Sequence, residues 1–190
     1  MKKLLVACMI AVMPGLIMAA GDMSQDGVTG NVNLFIGQKT LEKDDWDPLD
    51  EQLEVGLMFD IGGKDWPINI ALDILGSADE TTIGGVDVTG STSELDIGIR
   101  KSFLDGDFHS YVGGGLAFIQ TKIEGTYGGI TVSDDDSGVG YWISGGLYYS
   151  IIEQINVGFD LRYSKAKTTM YDYEVEAGGT HVGLFAGYHW

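Results

Sequence analysis

Cysteine is almost missing from this 190-residue chain: Cys8 stands alone. It lies in a segment whose removal is expected, so the mature chain would carry neither a disulfide staple nor a thiolate metal site. Proline is scarce too, with three residues, and nothing reads as a linker between two halves, so the length supports one domain. Basic residues are few: 11 against 28 acidic ones, a formal net charge of -17 that would repel a phosphate backbone and argues against nucleic acid as a partner. Beyond the N-terminus no apolar run is long enough to cross a bilayer as a helix. Disorder is not implied either, because 44% of the residues are hydrophobic and they recur at regular spacing.

Residues 1–20 read as a cleaved secretory signal. Lys2 and Lys3 form the positive end, Leu4 to Met18 the apolar core and Ala19-Ala20 the small-residue cleavage region, with cleavage expected after Ala20. As a membrane anchor the core is short and interrupted by Pro14 and Gly15. Leu5-Val6-Ala7-Cys8 resembles the box preceding a lipidated cysteine, but only three apolar residues would then separate Lys3 from Ala7-Cys8, too few for a signal core. Residues 21–27 are then a short N-terminal segment, and residues 28–190 hold the folded domain.

That domain alternates apolar and polar residues, the pattern of strands with two unlike faces. Eight runs are expected, at about 28–38, 52–61, 67–77, 93–103, 108–123, 139–151, 155–167 and 179–190. The second is the clearest: Leu53, Val55, Leu57, Phe59 and Ile61 alternate with Gln52, Glu54, Gly56, Met58 and Asp60. The seventh sets Ile155, Val157, Phe159, Leu161 and Tyr163 against Asn156, Gly158, Asp160, Arg162 and Ser164. The connections alternate long and short, roughly 13, 5, 15, 4, 15, 3 and 11 residues, and the long ones hold the acidic runs Glu42 to Glu51, Asp134-Asp135-Asp136 and Tyr171 to Glu176. Short and long hairpins around an even strand number suit an up-and-down transmembrane barrel.

A soluble lipocalin-like barrel would show the same alternation with its apolar face inside. Three features put the apolar face outside. The polar face is rich in small residues such as Gly56, Ala71, Gly98, Gly115, Gly146 and Gly158, which a narrow eight-stranded lumen requires. Aromatic residues sit near strand ends, at Trp66, Phe103, Tyr149, Tyr163, Tyr188 and Trp190, as interfacial girdles do. The chain also ends with apolar residues at every second position, Val182, Leu184, Ala186, Tyr188 and Trp190. This ending resembles the terminal assembly signal of outer-membrane proteins, with Trp where Phe is usual. With the signal segment and the eight strands, the chain resembles the small barrels of the OmpA/OmpX type, the outer membrane protein beta-barrel domain group of Gram-negative bacteria. The resemblance implies an all-β, eight-stranded antiparallel up-and-down transmembrane β-barrel. It also implies contact with outer-membrane lipids and lipopolysaccharide, and handling by periplasmic chaperones and the barrel-assembly machinery.

On the polar face Glu54, Asp73, Glu94, Asp96 and Asp160 accompany Arg100 and Arg162, the only two arginines. Buried charges must be paired, so Glu54, Asp73, Asp96, Arg100, Asp160 and Arg162 are expected to form a lumenal network that plugs the barrel, or else a gated ion path. His181 and His189 share a face but lie about 26 Å apart along a strand, too far for one metal. Barrels that deacylate lipid A carry a His and a Ser close together on a late strand, and the last strand here has neither Ser nor Cys. His109 and Ser110 are adjacent and point to opposite faces. Asp44, Asp45 and Asp47, and Asp134, Asp135 and Asp136, are carboxylate clusters without the spacing of a calcium loop, and a solvated loop is the plainer reading. No catalytic residue, resident metal or cofactor is expected. The sequence points to a structural or interaction barrel acting through acidic outer loops toward an external ligand it does not name, with a lipid-modifying enzyme or a narrow channel as the alternatives.

Overall fold

A computed structural model describes residues 27–152 and 154–190. The expected signal segment 1–20 and its cleavage site lie outside the described residues, as does the 21–27 segment apart from Gly27. Eight long strands form one closed antiparallel ring: β1 Val28–Thr40, β2 Glu51–Gly63, β3 Asn69–Ile83, β4 Val86–Asp105, β5 Phe108–Tyr127, β6 Ile130–Ile152, β7 Ile155–Lys165 and β10 Gly179–His189. Between β1 and β2 lies one helical turn, α1 (Lys43–Trp46), and between β7 and β10 a small separate hairpin, β8 (Lys167–Met170) with β9 (Tyr173–Glu176). The ring closes where β10 pairs with β1 from Asn31↔His189 to Thr40↔Thr180. Gly30 and Trp190 seal the seam by exchanging backbone hydrogen bonds of 3.1 Å in both directions. Closure leaves no open edge along this part of the wall, as a strand-built membrane protein requires.

The alternation sets the two faces. On β2, β3 and β4 the side chains of Leu53, Ile70, Leu72, Ile74, Ile97 and Ile99 are exposed on the outer wall, while Glu54, Met58, Ala71, Asp73, Asp96 and Arg100 are buried in the lumen. Small residues make the lumen wide enough for its large occupants. At Gly146, for example, a Cβ would collide with the Tyr111 ring.

The structure corrects the expected loop lengths. Gly84-Gly85 and Gly128-Gly129 have φ of +60°, +85°, +57° and +84°, which only glycine adopts freely. Each pair makes a two-residue hairpin turn of the kind whose twist matches the flanking strands. The expected loops over 78–92 and 124–138 are therefore strand, and Asp134, Asp135 and Asp136 lie on β6, opposite Ile123, Lys122 and Thr121. β4 and β5 have 20 residues each and β6 has 23. About 9–11 tilted residues span a bilayer. The surplus projects as a four-stranded sheet, β3 to β6, from the end opposite the two termini.

The upper limit of the apolar outer wall is legible in the register. Leu57, Ile74, Leu95, Phe118 and Val139 form one row across β2 to β6, and the next row outward is Val55, Gly76, Ser93, Gln120 and Ser137. Beyond it the outer face is polar, with Glu80, Thr89, Glu124 and Ser133 in line. Leu72→Arg, one row below the limit, should lower barrel stability in detergent or lipid titrations by about 2–4 kcal/mol if it sits near the bilayer midplane. Thr89→Arg, on the same face beyond the limit, should change it by less than about 0.5 kcal/mol. Equal effects at the two positions would mean that the bilayer boundary lies elsewhere.

Candidate functional site

The lumen collects charged and polar side chains from most of the strands around the ring, and they form two connected tiers. In the tier nearer the termini, Asp73 on β3 bonds both arginines through one carboxylate oxygen: Arg100 Nη2 at 2.7 Å and Arg162 Nη2 at 2.5 Å. Its other oxygen accepts the backbone N–H of Phe59 at 3.2 Å. Arg162 also donates to Asp96 at 2.5 Å and lies 3.6 Å from Asp160, which accepts a short hydrogen bond from the Tyr111 hydroxyl. Arg100 reaches Asp60 at 3.3 Å, and Asn31 and Asn69 also donate to Asp60. Aromatic faces cover the guanidinium groups, Tyr111 5.1 Å from Arg100 and Trp142 4.9 Å from Arg162.

The second tier lies toward the projecting end. Glu54 on β2 accepts from or bridges to His181 Nδ1 at 2.8 Å, and His181 Nε2 lies 2.9 Å from Ser164 Oγ on β7. Ser164 donates to Glu94 at 3.1 Å, and Glu94 is paired with Lys39 at 2.9 Å. Lys39, Thr92, Ser77 and Gln52 continue the chain of contacts to the backbone carbonyl of Leu49. All of these side chains are buried.

Of the six residues expected to share one lumenal network, the structure brings Asp73, Asp96, Arg100, Asp160 and Arg162 together. Glu54 instead belongs to the histidine tier, because its register on β2 is closer to the projecting end. Asp60 joins the arginines although only its inward face was expected. Lys39 falls just beyond the expected end of the first strand and so was not foreseen as a lumenal cation. The Ser164–His181–Glu54 relay was not foreseen, because serine was sought only on the last strand and beside His109. Ser164 is cross-strand to Gly179, two residues from His181, and such diagonal contacts between strands cannot be read from spacing within one strand.

The tiers leave little space. The gap lined by Asp60, Arg100, Tyr111 and Phe185 is about 10 Å³, room for about one water. Phe35, Met58, Leu75, Tyr111 and Phe185 pack into an apolar cluster beside the arginine tier, with Asn31 and Asp60 nearer the termini, and Leu41, Trp46 and Leu49 are buried above. The connection 41–50 is thus an ordered cap rather than a solvated loop. Trp46 Nε1 donates to the Glu176 carbonyl at 2.8 Å, and Asp45 accepts the Glu176 N–H at 2.8 Å.

The acidic run on β6 has a structural use. Asp136 accepts the N–H of Thr169 at 2.6 Å and Asp134 that of Tyr171 at 2.7 Å, so two carboxylates pin the β8–β9 hairpin along β6. Asp44, Asp47 and Asp135 are exposed, and among the described residues no three His, Cys, Asp or Glu side chains converge as metal ligands would. A separate concavity of about 710 Å³ opens on the outer wall at the apolar boundary, between Leu53, Leu95, Phe118 and Val139 over the short side chains of Gly76 and Ser93.

Removing Arg162 strands Asp96 and leaves Asp73 to Arg100 alone and Asp160 to the Tyr111 hydroxyl. Arg162→Met should cost about 3–5 kcal/mol in an unfolding titration, and Asp96→Asn should restore part of it. Zero coupling in the double-mutant cycle would dissolve the proposed shared network. The hydrogen bonds from the Thr169 and Ser137 N–H groups hold the Asp136 carboxyl below the ordinary range. A lowered native value means that its contribution to docking is present at neutral pH and is lost as pH falls through that value, below about pH 4. Amide protection at Thr169, taken relative to the intrinsic exchange rate at each pH, should therefore fall in acid, and this pH dependence should be lost in Asp136→Asn.

Comparison with known proteins agrees with this geometry. Ail, the attachment invasion locus protein of Yersinia pestis, in complex with the heparin analogue sucrose octasulfate, has a TM-score of 0.61 at 13% identity, covering 86% of this chain and 99% of the other. Neisserial surface protein A gives 0.58 at 10% identity, with 86% and 97% covered. The N-terminal β-barrel domain of Pseudomonas aeruginosa OprF gives 0.51 at 16%, with 85% and 97% covered. No curated protein sequence matches the chain. The family model for the outer membrane protein beta-barrel domain matches residues 5–189. A closed eight-stranded ring with an apolar outer wall and a charged, filled lumen, matched by that model over nearly its whole length, belongs to the outer membrane protein beta-barrel domain family.

Proposed function

We propose that this protein is a non-enzymatic barrel of a Gram-negative outer membrane, with a structural or surface-interaction role carried by its projecting end. The observation that carries this reading is the lumen, filled from the arginine tier to the Trp46 cap, so that the outer hairpins are the surface left to act. In this reading residues 1–20 are removed after Ala20, residues 21–27 lie in the periplasm, and the projecting sheet faces outward. Periplasmic chaperones and the assembly machinery would read Val182, Leu184, Ala186, Tyr188 and Trp190. Trp190 is well placed for that, because its indole lies over Gly30 at the closing seam, where a Cβ would collide with it. Outer-membrane lipids and lipopolysaccharide would meet the outer wall, with the concavity over Gly76 and Ser93 as a seat at the boundary.

A lipid-modifying enzyme gains one specific observation, the Ser164–His181–Glu54 relay. A serine with a histidine base oriented by a carboxylate is the arrangement of a hydrolytic nucleophile. Here the three residues have relative exposures of 1%, 0% and 1%, on the lumenal side of the wall, and the serine already donates to Glu94. We read the relay as part of the plug.

Expression in a Gram-negative host tests the proposal. The protein should remain in the outer-membrane pellet with Gly21 as its first residue, and its hairpins should be cut by protease added to intact cells. Lipid A masses should be unchanged, with wild type and Ser164→Ala indistinguishable. Release as a soluble periplasmic protein, or an altered lipid A mass that depends on Ser164, would overturn it. Regular unitary conductance in planar bilayers would favour the channel instead.

A further inference from the structure

The polarity of the strands reverses partway along β3 to β6. Within the wall the outer face is apolar and the lumenal face polar. In the projecting sheet the outer face carries Glu80, Asp87, Thr89, Glu124, Thr131 and Ser133, while the face continuous with the lumen carries Ile83, Val86, Val88, Tyr127, Ile130 and Val132. The parity is that of uninterrupted strands, since β3 to β6 pair without a bulge over this stretch. A sheet face that turns apolar where it leaves the bilayer is not explained by lipid contact.

The lower part of this face is covered by the chain itself. At Gly90 the side chains of Leu49 and Trp46 lie 3.2 and 3.4 Å from where a Cβ would stand. Farther out no described residue covers it: Ile83, Tyr127, Ile130 and Val132 have relative exposures of 51%, 68%, 73% and 60%. The β8–β9 hairpin, pinned alongside by Asp134 and Asp136, adds the exposed rings of Tyr171 and Tyr173. Grouped exposed apolar side chains of this kind mark an interaction surface.

Charge selects the partner. On the lumen-continuous face of the arms 78–91 and 120–137 the charged residues are Asp79, Asp134 and Asp136, and the single cation of these arms, Lys122, lies on the outer face with Glu80, Asp87, Glu124 and Asp135. That lysine is already paired with Glu124 at 3.0 Å. Sulfated or phosphorylated polymers would be repelled, whereas a segment presenting both apolar and basic side chains would match the apolar rows and their acidic surroundings. We propose that the lumen-continuous face of the projecting β3–β6 sheet docks a cationic polypeptide through Ile83, Tyr127, Ile130 and Val132, an inference that rests on the outward orientation of this end in the reading above.

The experiment uses the full-length mature barrel in phosphatidylcholine nanodiscs. The probe is a fluorescein-labelled 12-residue peptide of alternating lysine and valine, followed by anisotropy against empty discs. Binding above the empty discs is expected, with affinity falling roughly tenfold in the double variant Ile130→Ser with Val132→Ser, which removes exposed apolar area alone. The boiled-versus-unboiled gel shift should show that this variant still forms the barrel. Oligolysine of the same length should bind more weakly and equally to both proteins, and a peptide of alternating glutamate and valine should not bind. No binding above empty discs, equal affinity of the first peptide for both proteins, or equal binding of the acidic peptide would overturn the proposal. Protease accessibility on intact cells is read separately. Hairpins protected there would sink the outward orientation whatever the peptide does, whereas accessible hairpins without peptide binding would sink the docking surface alone.

Discussion

One carboxylate oxygen of Asp73 holds both arginines of the chain, and the interior of the barrel is organised around it. Eight strands enclose little more than side-chain volume, so the lumen must be filled, and a charge placed there must meet its opposite. Asp73 meets that condition for two opposite walls at once, joining β3 to β4 through Arg100 and to β7 through Arg162. Asp60 and Asp96 accept from the two guanidinium groups, Asp160 lies beside that of Arg162, and Tyr111 and Trp142 close over their faces. Buried ion pairs contribute less to net stability than their geometry suggests, because both partners lose their water. Their effect here is to fix which strand stands opposite which across the lumen, since one misplaced arginine would leave several carboxylates unpaired.

The histidine tier does similar work with different chemistry. Glu54, His181, Ser164, Glu94 and Lys39 tie β2, β10, β7, β4 and β1 together just beneath the cap. Above them the contacts become apolar, through Leu41, Trp46 and Leu49, and the cap is tied in turn to the 166–178 connection through Trp46 and Asp45. The lumen is therefore filled by two ionic tiers, with apolar side chains packed beside the lower one and an apolar cap over the upper. A hydrolytic-looking relay inside such a stack is held by the same requirement that places every other polar atom there.

Much of this was legible in the sequence because a strand has a period of two and each face has one solvent. The alternation in Leu53 to Ile61 and in Ile155 to Ser164 specifies the wall and names most lumenal residues, including both arginines. Two kinds of information were hidden. Contacts across the lumen, such as Arg162 with Asp73 or Ser164 with His181, depend on register between strands, which no single strand encodes. The extent of the strands was hidden as well: the acidic residues of 134–136 read as loop, although Gly84-Gly85 and Gly128-Gly129 between alternating flanks are a hairpin signal. The reversal of polarity beyond Gly76 and Ser93 obscured that signal, because a strand whose apolar face changes sides does not keep one phase.

The projecting sheet occupies only one side of the rim. β3 to β6 rise well past the bilayer boundary, whereas β1, β2, β7 and β10 stop near it and are joined by the low cap and the small β8–β9 hairpin. The barrel thus has a tall side and a low side, like a chair with its back along β3 to β6. In the orientation proposed above, the polar side of that back would stand against neighbouring molecules on the cell surface, while the sheltered side opens over the cap. Access to the molecule from outside is consequently directional, and the direction is set by two pairs of glycines that let four strands continue where others turn.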